Sequence, residues 1–141
     1  MKAHVQWQSA VCFKATSETG HELVLDGAPE TGGANSGMRP MEAVLIGLGG
    51  CSAYDVVTIL EKGRAGLTRC EVALSAQRAD TIPKVFTQIH LHYIVSGTNL
   101  RKAQVARAVE LSAHKYCSAT AMIEKTTTVT FDHEIVGERV R

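Results

Sequence analysis

Apolar and polar residues alternate from His4 to Lys14: Val5, Trp7, Val11 and Phe13 stand against His4, Gln6, Gln8, Cys12 and Lys14. A period of two predicts a β-strand with one buried face. A turn near Gly20 leads to a second strand through Leu23 and Leu25, stopped at Gly27, and the two read as a hairpin. The period then vanishes. The stretch APETGGANSGMRP, Ala28 to Pro40, is rich in Gly, Pro, Ser and Asn and reads as a loop, of a length that often borders a site. From Pro40 the pattern turns helical. Proline suits a first turn, Glu42 suits the positive end of the helix dipole, and Gly63 supplies a left-handed stop after Lys62. At 1.5 Å per residue this helix is roughly 30 Å long. Val44, Leu45, Ile46, Leu48, Val56, Val57, Ile59 and Leu60 wrap most of its circumference, which places it at the centre of an assembly.

Alternation returns at Cys70, Val72, Leu74 and Ala76, a third strand, and again from Val85 to Ser96. In the latter, Val85, Ile89, Leu91, Tyr93 and Val95 face one way, and Phe86, Gln88, His90, His92 and Ile94 the other. Thr98 or Asn99 can cap a helix over Leu100 to Tyr116. A short turn follows, and Thr126 to Val136 closes the chain as a β-branched strand. The order is ββ-α-ββ-α-β, with strands in antiparallel groups between two helices, which predicts an α+β fold. No repeat or internal linker divides the chain, so residues 1–141 read as one domain. One copy has too little sheet to cover an all-apolar helix of this length. An intertwined homodimer that shares the central helices is expected.

The 141 residues suffice for a single core that buries roughly two thirds of the unfolded surface. Hydrophobic residues make up 45% and charged residues 21%, which excludes a disordered chain. A net charge of +1 and the lack of a basic stripe give nucleic acid and anionic membranes no purchase. The N-terminus MKAHVQWQSAVCFK has no apolar signal-peptide centre, and the longest apolar run, Ala43 to Leu48, is too short to span a bilayer. These features predict a soluble cytoplasmic protein without nucleic-acid or membrane partners.

Cys12, Cys51, Cys70 and Cys117 contain no C-x-x-C pair, so zinc-finger and thioredoxin spacings are absent. Cys12 and Cys70 lie in strands and fit small buried hydrophobes. Cys51 lies in the apolar helix, where packing and chemistry are both open readings. Gly49 and Gly50 precede it at a helix-propensity cost of about 1 kcal/mol each. The space they leave serves either a crossing helix or a substrate reaching the sulfur. Ser118 can cap a new turn, which puts Cys117 near a helix N-terminus that favours its thiolate, with His114 and Lys115 within three residues. His90 and His92 share a strand face with Gln88, but two ligands without a third read as solvent-facing surface, and no metal is assigned. Asp55 and Glu61 lie on the helix near Cys51, with Asp55 read as a polar contact at a crossing. No nucleotide-binding or Ser-His-Asp pattern occurs, so no cofactor is expected.

RPMEAVLIGLGGC followed by AHKYCSATAM resembles the OsmC/Ohr family, the osmotically inducible and organic hydroperoxide resistance proteins. The element order matches over essentially the whole chain. The resemblance implies the OsmC-like fold, an intertwined homodimer with a shared active site, and a thiol-dependent peroxidase that reduces organic hydroperoxides in oxidative stress defence. Cys51 would be the peroxidatic thiol and Cys117 the resolving one, their disulfide later reduced by a dithiol. In the family, an arginine on the N-terminal hairpin activates the thiol and is held by a glutamate that follows the helix proline. Here Met41 follows Pro40, Glu42 comes next, and the first arginine is Arg39. His21 occupies the hairpin position. Arg39 or His21 would then supply the cation. Glu42 is nine residues from Cys51, and steps of about 100° put the two on opposite sides of a straight helix, so Glu42 would act across the dimer interface. The missing hairpin arginine and displaced glutamate favour an alternative: a non-enzymatic protein of the same fold that binds a small apolar or thiol-containing ligand at the dimer interface.

Overall fold

The computed structural model describes residues 1–137. Residues 138–141, included in the 1–141 domain reading, lie outside the described residues. The chain forms two compact units, Met1–Ile46 and the part from Gly47 onward.

The first unit holds a three-stranded antiparallel sheet, β1 (Ala3–Ser9), β2 (Cys12–Ser17) and β3 (Glu22–Leu25), in that spatial order. The single strand expected over His4 to Lys14 is two strands. Ala10 adopts φ 47, a left-handed conformation rare outside glycine, and Ser9 pairs with Cys12 across a two-residue turn. The Trp7 indole N–H closes that turn by donating to the Ala10 carbonyl at 2.9 Å. Nothing in the residue types at Ala10 and Val11 marks a turn. The face expected to be buried is open in the single chain: Val5 is 58% and Trp7 65% exposed. The loop after β3 folds around the buried Asp26. Its carboxylate accepts from the amides of Gly27, Ala34 and Ser36 and from the Ser36 hydroxyl, at 2.6 to 3.1 Å. These bonds hold its pKa well below the usual carboxylate range.

Helix α1 (Pro40–Lys62) begins and ends where the pattern puts it. Its stop is built differently. Arg64, at φ 54, is the left-handed residue, and Ala65 N–H donates to Leu60 O at 3.1 Å in a Schellman closure. A Cβ on Gly63 would meet the Gln104 amide nitrogen at 2.5 Å and displace that side chain. Read run by run, the chain shows no bilayer-spanning segment. Taken whole, α1 has 23 residues and a mean hydropathy of 1.8 in its most apolar window, long and apolar enough to cross a membrane.

In the second unit, β4 (Leu67–Arg78), β5 (Phe86–Gly97) and β6 (Thr128–Ile135) form a sheet in that order. β4 and β5 pair antiparallel, but β5 and β6 pair parallel, from Gln88 opposite Thr128 to Val95 opposite Ile135. The expectation of antiparallel groups fails here because α2 (Lys102–Leu111), a π-type turn (Ser112–Tyr116) and α3 (Ser118–Ile123) carry the chain back as a crossover. Arg101, not Thr98 or Asn99, is the α2 N-cap. The amides of Thr98 and Asn99 instead donate to Gly66 and Ala65. Ile89, Leu91, Tyr93 and Val95 share one face as predicted, and that face is buried. Phe86 joins them and Val85 is exposed, because Gln77 pairs with Gln88 while Arg78 pairs with Phe86, leaving Thr87 as a bulge. With Leu48, Val56 and Leu60 of α1 and Val105 and Ala108 of α2, these residues are buried in the core. Two small sheets with helices make the fold α+β, as predicted.

Candidate functional site: a thiol pair beside a buried hydroxyl chain

The α2 helix does not continue to Cys117. It widens into the π-type turn, Cys117 N–H donates to Ser112 O at 2.9 Å, and the chain breaks to extended geometry at Cys117. Cys117 itself, not Ser118, is the N-cap of α3. Its sulfur accepts from the Thr120 amide at 3.4 Å. The Thr120 hydroxyl is fully buried without a hydrogen-bond partner among the described residues, and Thr120 lowers the Cys117 pKa. Cys51 of α1 is the other neighbour: its thiol is near enough to act on the Cys117 thiol and raise its pKa. Sixty-six positions apart in sequence, the two thiols meet in one site, Cys51 half-buried and Cys117 buried.

A thiolate at Cys117 is not favoured. Burial pushes its pKa up and outweighs the lowering by Thr120, and Cys51 pushes it further up. His114 and Lys115, within three residues of Cys117 in sequence, make other contacts. The His114 ring stands edge-on to Phe131, and the Lys115 ammonium lies over the Tyr116 ring.

Beside the thiols runs a chain of buried hydroxyls that residue spacing did not reveal. Ser52, next to Cys51, hydrogen-bonds Tyr93 of β5 and lies 3.1 Å from the Ser112 hydroxyl. Ser112 Oγ lies 3.0 Å from the Ser52 carbonyl and 3.2 Å from Asp55 Oδ2, two acceptors for its proton. Ser52, Tyr93 and Ser112 are all fully buried. Burial pushes the Tyr93 hydroxyl up to about 12, against the lowering by Ser52, with the Cys117 and Cys70 thiols adding to the rise. The available signal was polar residues at otherwise apolar positions, and Asp55 alone was read that way.

The two glycines have different surroundings. A Cβ on Gly49 would lie 2.6 Å from Leu74 Cδ1, so this glycine lets β4 approach the helix. A Cβ on Gly50 would meet nothing within 4 Å. Only the second leaves open space, at the position before Cys51, and the neighbour that the first admits is a strand rather than a crossing helix.

The remaining site candidates, Cys70 of β4 apart, belong to the first unit and are tied up locally. Glu42 caps the start of α1, its carboxylate accepting from the Arg39 amide at 2.8 Å. The Arg39 guanidinium donates to Asn35 Oδ1 at 3.0 Å and to the Gly37 carbonyl at 3.2 Å. His21 lies exposed beside Thr19, ring nitrogen to hydroxyl at 3.2 Å. Cys12 lies 3.8 Å from the Ser36 hydroxyl. Cys70 is half-buried, and burial raises its thiol pKa.

A three-stranded sheet with a parallel crossover strand, a long apolar helix carrying one thiol and a second thiol after a π-type turn define an OsmC-type architecture. The family model for OsmC-like proteins matches residues 33–132, and the chain belongs to that family. It is 47% identical to Protein YhfA of Escherichia coli over 140 residues, covering 97% of this chain and 99% of that one. A protein from Aquifex aeolicus superposes with a TM-score of 0.85 at 28% identity, covering 98% of this chain and 97% of the other. The organic hydroperoxide resistance protein OsmC of Legionella pneumophila has the same fold, with a TM-score of 0.72 at 16% identity and coverage of 94% and 95%.

Proposed function

We propose that this chain is a thiol-dependent peroxidase that reduces organic hydroperoxides with Cys51 as the attacking and Cys117 as the resolving thiol. The proximity of these two thiols, close enough for Cys51 to raise the Cys117 pKa, supports the reading most directly. The Cys51 sulfur attacks one peroxide oxygen. The O–O bond breaks, the alkoxide leaves and takes up a proton, and the sulfur, oxidised by two electrons, becomes a sulfenic acid. Cys117 then attacks that sulfur, the S–S bond forms and water departs. A dithiol returns both cysteines to the reduced state by exchange. Cys51 is half-buried beside the open space at Gly50, which admits a substrate with an apolar tail.

The same reading includes a soluble, cytoplasmic homodimer. Val44, Ile46 and Tyr54 on α1 are 46%, 55% and 74% exposed in the single chain, and a second copy would cover them. Light scattering should give twice the chain mass, with full recovery in detergent-free buffer. A monomer at micromolar concentration removes the dimer, and recovery only in detergent assigns that face to a membrane.

The peroxidase is tested with reduced protein and cumene hydroperoxide. Wild type should consume it and accumulate a Cys51–Cys117 disulfide. Cys51→Ser should abolish turnover, and Cys117→Ser should leave a dimedone-reactive sulfenic acid at Cys51. Equal turnover in wild type and Cys51→Ser ends the proposal. The engagement of Arg39 with Asn35 and Gly37 favours the second reading, a ligand-binding protein of the same fold. That reading predicts no peroxide consumption, and Cys51 alkylation no faster than that of a free thiol.

A further inference from the structure

On the face of β5 opposite the core, five side chains converge that the thiol chemistry does not use. His90 and His92 project from β5, and Thr130, Asp132 and Glu134 from β6. The parallel register sets His90 opposite Thr130 and His92 opposite Asp132, so one carboxylate lies between two imidazoles. Asp132 Oδ1 is 2.9 Å from His90 Nε2 and 2.6 Å from His92 Nδ1. One ligand atom from each of these three residues lies within 4.8 Å of the other two.

We propose that His90 Nε2, His92 Nδ1 and Asp132 Oδ1 form a binding site for a divalent first-row metal ion of the zinc class. The donor set is two borderline imidazoles and one carboxylate, as used by three-ligand sites with an open position. The far nitrogens carry the stronger argument. A metal-bound imidazole needs an acceptor for its other N–H to fix ring and tautomer. His90 Nδ1 has the Thr130 hydroxyl at 2.6 Å, and His92 Nε2 has Glu134 Oε1 at 3.1 Å. Each ring therefore has one nitrogen toward the centre and the other on an acceptor. Arg69, paired with Glu71 at 2.6 Å, also acts on Glu134 and suits that carboxylate to the outer position. Ligand atoms about 2.1 Å from a tetrahedral ion are roughly 3.4 Å apart, so the 2.9 Å and 2.6 Å contacts must open by about 0.5 and about 0.8 Å. These half-exposed side chains on a strand surface can do that by rotation. A cleft of about 330 Å³, lined by Ser75, Gln77, Gln88, His90 and Thr130 among others, adjoins the site. The open position can thus take water or a small oxygen ligand. Sequence spacing offered His90 and His92 without a third ligand; Asp132, forty residues on, supplies it through the parallel pairing.

Co²⁺ is the probe, titrated into untagged, reduced full-length protein. The expected result is one ion per chain with weak d–d bands, no intense thiolate-to-cobalt charge transfer, and displacement by Zn²⁺. His92→Gln and Asp132→Asn should weaken binding more than tenfold, and Thr130→Val about tenfold, as an outer partner does. In wild-type protein, long-range ¹H–¹⁵N spectra should show the His90 and His92 rings, not His4 or His133, shifting with Zn²⁺, a readout that needs no variant. Absence of binding at micromolar concentration, a thiolate charge-transfer band, or unchanged affinity in His92→Gln overturns the proposal. Loss of peroxide turnover leaves it intact, since none of these residues touches either thiol.

Discussion

Tyr93 ties the α1 helix to the sheet, and its ionisation should appear in the pH dependence of stability. Its hydroxyl pKa rises from an ordinary 10.0 to about 12 because the group is buried. A raised folded-state pKa means that the stability is fully present below the unfolded value and is lost as pH rises through the folded one. At about pH 11 the unfolded chain is mostly tyrosinate and the folded chain mostly tyrosine, which costs about 1.4 kcal/mol from this group. Tyr93→Phe removes the term. At neutral pH the variant loses the hydrogen bond to Ser52, which keeps Ser112 as a partner, at a cost of about 1 kcal/mol. The two pH profiles should therefore cross: wild type is more stable near neutrality, and the variant equals or exceeds it at about pH 11. Urea unfolding of reduced protein, followed by circular dichroism across this range, measures both. Comparing the two proteins cancels the alkaline loss shared by both, including that from Cys70 and Cys117, whose thiols burial also raises. Parallel profiles, with the variant below wild type by a constant amount, would refute the assignment of a buried, neutral Tyr93 hydroxyl.

Gly49→Ala and Gly50→Ala should separate. Each gains about 1 kcal/mol of helix propensity, but only Gly49→Ala forces Leu74 aside, so denaturation midpoints should rank Gly50→Ala higher; the reverse order refutes the close approach of β4. Asp26→Asn replaces an acceptor of four hydrogen bonds with a group that must turn N–H toward some of the donors. Limited proteolysis should then cut the 27–39 loop at neutral pH. In wild type the depressed carboxyl pKa keeps this contribution through mildly acidic pH and loses it only in stronger acid, as pH falls through the folded value. Equal cleavage of both proteins refutes the anchoring role.

What the residue pattern could and could not show follows from the range of each interaction. The α1 helix was legible from Pro40 to Lys62 because proline, the first-turn glutamate and the apolar run all act within a turn or two. The buried face of β5 was legible by its period, except where the Thr87 bulge moved Phe86 across. The turn at Ala10 was hidden because its left-handed residue is an alanine rather than a glycine, and its closing bond comes from the Trp7 indole, a residue type that does not mark turns. Arg64 is a similar case, since Gly63 drew the left-handed assignment although its lack of a side chain serves Gln104. Pairing across the chain was the least accessible. That Cys51 and Cys117 meet came from the family motif, not from spacing. The parallel register of β6 had no such guide, and with it went the partnership of His90, His92 and Asp132. Gly49 and Gly50 carry the same lesson at the site itself. Identical residues in sequence, they meet a strand side chain on one side and open space on the other. A substrate route to Cys51 can therefore be argued from Gly50 alone, and filling that position is the perturbation that separates access from packing. Gly50→Ala should slow the reaction of Cys51 with a bulky hydroperoxide more than with hydrogen peroxide, while Gly49→Ala should slow both alike or neither. Equal slowing of both oxidants by Gly50→Ala would mean that the open space beside the sulfur is not its entrance.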